Sequence, residues 1–185
     1  GLGKIHRVDE RNLPGPMPYV ASQFQRESIP NSLAWDLFCG PTPMRDYSRH
    51  LWVKDSFAVN GLMWRGWDLF QDFSGHLMTN WGAHSLDMIQ YALGKDESGP
   101  VRIELKPPQI DSAVDDPWLA KTPPLGTLLD PDLDRARFFP LVMRYDDQTE
   151  IRFLTDAKAT TFYGEKGTLT LRRNDYHVSP QNLLP

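Results

Sequence analysis

The stretch NWGAHSLDMIQYALG, Asn80 to Gly94, decides how the rest of the chain is read. On a 3.6-residue period His76, Asn80, His84 and Asp87 are spaced by four, four and three, so they fall on one helix face. The stripes beside them are apolar: Leu77, Trp81 and Met88 on one side, Met78, Leu86, Ile89 and Leu93 on the other. A helix apolar over most of its circumference is expected to be largely buried. Polar groups in such a helix need partners, because burying them unpaired is costly. The polar stripe therefore either lines a cavity or belongs to an internal hydrogen-bond network.

Working outward, no proline occurs between Pro43 and Pro100, and that window holds the one long helix candidate. The expected limits are about Gly75 to Leu93, with Ser74 as N-cap and Gly94 as the stop. Leu33 to Phe38 has room for one or two further helical turns before Gly40-Pro41. The segment from Leu13 to Asn31 holds four prolines and reads as an extended loop, as does the Pro- and Asp-rich segment from Pro107 to Pro131. Strand signals fall at Lys4 to Asp9, Val101 to Lys106, Leu141 to Tyr145, Glu150 to Leu154, Thr160 to Tyr163 and Thr168 to Arg172. The last four are joined by short turns, which implies an antiparallel sheet covered on one face by the long helix. The expected class is α+β in a single domain of 185 residues: an open, mainly antiparallel sheet with one long helix and shorter ones on one face.

Composition excludes several functions. A hydrophobic fraction of 40% with 24% charged residues describes a globular chain. A net charge of −4 offers no electrostatic reason to bind nucleic acid or an anionic membrane, and no apolar run approaches the roughly 20 residues of a membrane helix. Cys39 is the only cysteine, so no internal disulfide framework exists. No Gly-x-Gly-x-x-Gly follows a strand, and there is neither a Walker-type phosphate loop nor a Gly-x-Ser-x-Gly elbow. No metal site is expected. His76 and His84 lie eight residues apart, about 12 Å along a helix axis at 1.5 Å per residue, too far for one ion.

Several motifs together resemble the second domain of the Gfo/Idh/MocA oxidoreductases, nicotinamide-dependent dehydrogenases of sugars, inositols and related polyols. Their long second-domain helix carries Asp-x-Gly-x-His-x-x-Asp, in one subgroup as Asp-Trp-Gly-Ala-His, and the corresponding residues here are Asn80, Gly82, His84 and Asp87. Trp35 to Pro41 (WDLFCGP) resembles the subgroup's Trp-Asp-x-Trp-x-Gly-Pro, with Tyr47 where the subgroup tends to have Pro-Tyr. Tyr163 to Leu169 resembles the family's Gly-x-x-Gly strand turn, and Gly3-Lys4-Ile5 its first strand after the nucleotide domain.

The resemblance implies a dihydrodipicolinate-reductase-like fold and corresponds to the second domain alone. The glycine-rich cofactor turn and a Glu-Lys-Pro lysine would belong to a nucleotide-binding domain absent from these residues. NAD or NADP would then be bound by that domain in a full-length parent and not by this chain, which is expected to have no dehydrogenase activity by itself. His84 would inherit the acid/base role, to which an imidazole titrating near neutrality is suited. At the helix position before it the family's aspartate is Asn80, which can hydrogen-bond a substrate but cannot take a proton. Substrate positioning is expected to survive and proton relay to weaken. Asp87, Arg65, Trp64, Tyr47 and His76 are the expected substrate-binding residues. Each has a structural alternative: a carbonyl partner for the histidines, a partner for the His84 ring in Asp87, a surface ion pair for Arg65, core packing for the aromatics. The expected partners are a sugar- or polyol-type molecule and further copies of the chain. Those copies would pack on the sheet face through apolar strand residues Phe138, Phe139, Val142, Ile151 and Phe153. A non-catalytic carbohydrate-binding or interaction module with the same fold is the alternative. Residence in the cytoplasm is the expectation, with export left open by any leader outside these residues.

Overall fold

Apolar residues recur at every second position of the strand segments, and in the folded chain they line up across the whole sheet. The computed structural model describes residues 1–13, 15–16, 18–19, 21–23, 25–48, 51, 67–105, 141–154, 157, 159–172 and 174–183. They fall into two compact units, Gly1–Leu13 with Trp81–Leu125 and Phe138–Pro185, and Pro14–Asn80 with Gly126–Arg137.

The first unit is built on a seven-stranded sheet. Its strands are β1 (Ile5–Arg11), β2 (Arg102–Glu104), β3 (Leu141–Arg144), β4 (Glu150–Leu154), β5 (Thr160–Gly164), β6 (Gly167–Arg172) and β7 (Asp175–Ser179). Their order is β2-β3-β4-β1-β5-β6-β7. Every neighbouring pair is antiparallel except β1 with β4. The expected α+β class with a mainly antiparallel sheet is what the chain forms. Two features were not legible: the parallel β1–β4 pair, and β7, which follows a turn at Asn174 with φ +67°.

Register assigns the two faces. Ile103, Met143, Ile151, Val8, Phe162, Leu169 and Val178 are direct partners across all seven strands, an entirely apolar row. The next row on the opposite face reads Glu104, Val142, Arg152, Asp9, Thr161, Thr170 and His177. Alternation of side chains across a strand thus gives an apolar inner face and a polar outer one. The outer face is laced by ion pairs: Glu150 pairs with both Arg144 and Arg152, and Arg7 pairs with Asp9 while lying 3.8 Å over the Tyr163 ring. This corrects the expected apolar surface for a second copy. Ile151 and Phe153 are inner-face core residues, fully buried, and Val142 is a buried residue within the polar face. Phe138 and Phe139 lie outside the described residues.

The long helix, α2, spans His76–Leu93, close to its expected limits. Gly94 (φ +63°) ends it: Gly94 N–H donates to Tyr91 O and Lys95 N–H to Gln90 O, the paired bonds of a Schellman stop. Gly82 and Ile89 are buried and Ser85 lies near enough to the buried Glu10 of β1 to bear on its ionisation, so this side of α2 faces the inner side of the sheet. The opposite side is exposed: Ala83, His84, Asp87 and Tyr91 all face solvent within this chain. The expectation of a largely buried helix therefore fails, because only one side has a sheet to cover it. Beyond the helix, Lys95 Nζ lies 3.0 Å from Asp147 in the β3–β4 turn and over the Tyr145 ring, and the Asp147 carboxyl is lowered to about 2 by the Lys95 bond.

The second unit packs around α1, Trp35–Cys39, the short helix expected near Leu33 to Phe38. Trp35, Cys39, Tyr47, Leu51 and Phe70 form its core. The Trp35 indole N–H donates to Arg45 O at 2.7 Å, and the ring stacks on Phe38 and meets Tyr47 edge-on. Among the described residues, no helix is long and apolar enough to cross a membrane.

Glu10 supplies a test of the sheet–helix contact. Burial raises its carboxyl above the ordinary value, against the hydrogen bond from Thr160. A raised folded pKa favours the native state below the unfolded value of 4.5 and loses that advantage as pH climbs through the folded value. Glu10→Gln cannot ionise, so relative to wild type it should gain on the order of 1 kcal/mol between pH 4 and pH 8. Urea melts across that range read the difference. A constant gap would show that Glu10 is not held in a dry contact.

Candidate active site

The helix stripe begins where α2 begins. Ser74 Oγ accepts the His76 backbone N–H at 3.0 Å and donates to Asp68 Oδ1 at 2.7 Å. The other carboxylate oxygen, Asp68 Oδ2, lies 3.0 Å from His76 Nδ1. Three residues thus close a ring at the helix N-terminus, with Asp68 and His76 both almost fully buried. Burial opposes ionisation of Asp68, but the bonds from His76 and Ser74 outweigh it and hold the carboxyl below the usual value. An ionised Asp68 can only accept, so His76 Nδ1 is the donor. His76 Nε2, on the far side of the ring, is buried and has no hydrogen-bond partner among the described residues.

Asn80, His84 and Asp87 follow His76 up the same side of α2, each about one turn above the last. Asn80 is partly buried, and His84 and Asp87 are exposed. The Trp81 and His84 rings meet nearly edge-on, centroids 6.4 Å apart, which restricts where the imidazole can swing. One turn beyond Asp87 the exposed Tyr91 extends the stripe. The face thus carries an amide, an imidazole, a carboxylate and a phenol, a set able to hydrogen-bond several hydroxyl groups and to move a proton at the imidazole.

Of the remaining expected site residues, Tyr47 sits in the core of the second unit against Trp35, and Trp64 and Arg65 lie outside the described residues. Two participants escaped sequence reading. Asp68 sits in a short turn, Trp67–Leu69, where no periodicity ties it to a histidine eight residues on. Tyr91 was visible in principle, being four residues after Asp87 on the same stripe. Among the described residues no group of three His, Cys, Asp or Glu side chains could hold a metal ion.

The ring makes a stability prediction. Asp68→Ala would strand the His76 Nδ1 donor and the Ser74 hydroxyl in a buried turn, at an expected cost of about 2–3 kcal/mol. Chemical denaturation measures it. A loss below about 0.5 kcal/mol would mean the ring does not hold the start of α2.

Residues 19–121, more than half the chain, match the family model described as oxidoreductase family, C-terminal alpha/beta domain, of the Gfo/Idh/MocA group. No curated protein and no solved structure matches the chain. The match spans WDLFCGP, Tyr47, the Asp68–Ser74–His76 ring and the whole of α2 with its polar stripe. The chain belongs to the Gfo/Idh/MocA oxidoreductase family, as its C-terminal alpha/beta domain.

Proposed function

We propose that this chain is the substrate-binding domain of an NAD(P)-dependent oxidoreductase acting on a sugar, inositol or related polyol, with the exposed side of α2 as the substrate face. The observation that carries the reading is the alignment of Asn80, His84 and Asp87 on a solvent-facing side of an otherwise apolar helix in a family of oxidoreductases.

The family is generally NAD(P)-dependent. The described residues do not fit that cofactor: no glycine-rich turn leads from a strand into a helix, and the N-terminus of α2, where a pyrophosphate would dock, is already occupied by Ser74 and closed by Asp68. The chemistry assigned to this chain is therefore the proton side alone. Oxidation of a secondary alcohol releases a hydroxyl proton, which His84 accepts at its imidazole. Asn80, one turn earlier, holds a substrate hydroxyl without exchanging a proton, and Asp87 accepts from another. Copies of the chain associate through the outer face of the sheet, whose Arg, Asp and Glu rows make a polar, self-complementary contact. A second reading is favoured by Asn80: an amide where the family has a carboxylate suits a carbohydrate-binding module without redox chemistry.

Titration of the 185-residue chain with myo-inositol and with glucose, followed by amide NMR shifts, tests the substrate face. Shifts centred on Asn80, His84 and Asp87 are expected, and His84→Ala should weaken binding by about 3- to 10-fold. No NADH should form when NAD is added. Shifts confined to other elements would refute the substrate face, and NADH production would refute the division of labour.

A further inference from the structure

His76 is the one residue of α2 whose conformation and chemistry are both anomalous. Its backbone is left-handed, φ +55°, a region that disfavours every residue with a Cβ and that glycine enters freely. Glycine is available next door at Gly75, where an added Cβ would lie 2.2 Å from the Thr79 side chain, so the turn has spent its glycine on space instead. The imidazole is nearly fully buried, yet among the described residues only one of its two ring nitrogens has a hydrogen-bond partner. Left-handed backbone and an unpaired buried polar atom each carry a cost, and both fall on a single side chain. Such costs persist where the side chain is needed for itself.

The ring around it fixes what the side chain offers. Asp68 Oδ2 accepts from His76 Nδ1–H, 3.0 Å between the heavy atoms, and Asp68 is itself held by Ser74. Donation from Nδ1 to Asp68 selects the Nδ1–H tautomer whenever the imidazole is neutral, and in that tautomer Nε2 is a bare lone pair that can only accept. It stands at the foot of the stripe that continues through Asn80, His84 and Asp87.

From this we infer that His76 Nε2 is a ligand contact, accepting the hydrogen of a ligand hydroxyl, and that Asp68 is the residue that positions it. This deepens the polyol reading and rests on it: the substrate would present one hydroxyl to the base of the helix while others meet Asn80 and Asp87. The donor class is specified by the site, since a bare imidazole nitrogen rejects carboxylate and carbonyl oxygens and favours O–H and N–H groups.

The test uses imidazole 15N spectra of the full 185-residue chain, with myo-inositol as the probe. Wild-type His76 should show a protonated Nδ1 and a bare Nε2, and the Nε2 resonance should move on titration. Asp68→Asn should invert the tautomer, because an amide can donate to Nδ1, and weaken binding about tenfold. His76→Asn tolerates left-handed backbone, keeps a donor at the Nδ1 position for Asp68 and lacks Nε2, so it should stay folded and lose affinity to a similar degree. A protonated Nε2 in wild type would overturn the inference whatever the ligand does. Unchanged affinity in His76→Asn, with wild-type binding intact, would overturn it and leave the polyol reading standing. Absence of any myo-inositol binding to wild type, in the shifts of Asn80 and His84 as well as His76, would overturn both.

Discussion

Burial of one side of α2 fixes the rotation of the helix about its own axis: Gly82 and Ile89 are buried, with the half-buried Ser85 between them. A buried carboxyl has few places to satisfy its oxygens, and Glu10 of β1 finds the hydroxyl of Thr160 on the adjacent strand. Once that side of the helix is committed to the interior, helical geometry commits the rest, and His84 and Asp87 turn outward. A rotation of 100°, one residue's worth, would carry the imidazole toward the interior and leave a serine facing solvent. The functional face of this domain follows from which side of one helix is buried.

The two ends of α2 are fixed by different means. At the C-terminus Gly94 closes the helix with backbone bonds, and Lys95 ties the following turn to Asp147. At the N-terminus side chains do the work through the Ser74–Asp68–His76 ring. A carboxylate at the positive end of a helix dipole is stabilising in its own right, so the ring serves the fold as well as the site. The sheet shows a similar economy. Its inner row is wholly apolar, while its outer rows alternate sign closely enough that Glu150 serves two arginines at once.

What could be read from sequence divides along physical lines. Glu150 to Leu154 was found to the residue because alternation with β-branched and aromatic side chains is a strong local signal. The limits of α2 were legible because Ser74 and Gly94 punctuate them. β7 was not, since Asp175 to Ser179 is mostly polar and its only buried residue is Val178. The helix was expected to be buried because Trp81, Leu86, Met88 and Tyr91 make it look apolar all round, and periodicity alone cannot say that one side is left uncovered. The strand signal at Lys4 to Asp9 stops short of Glu10, which sits two residues from Val8 and so shares its inward parity. Asp68 was invisible, because a loop carries no period from which to infer a long-range partner. Asn80, His84 and Asp87 were legible as a stripe. Their exposure came only with the structure.

The orientation of α2 is the claim on which the functional account stands, and histidine modification measures it directly. Treating the native chain with diethyl pyrocarbonate and following each histidine by peptide mass spectrometry compares His84 with His76 on one helix. The account predicts rapid modification of the exposed His84, slowed by myo-inositol, and slower modification of the buried His76. Protection of His84 in the free chain would mean that the helix presents a different face and that the site described above is not the one the protein uses.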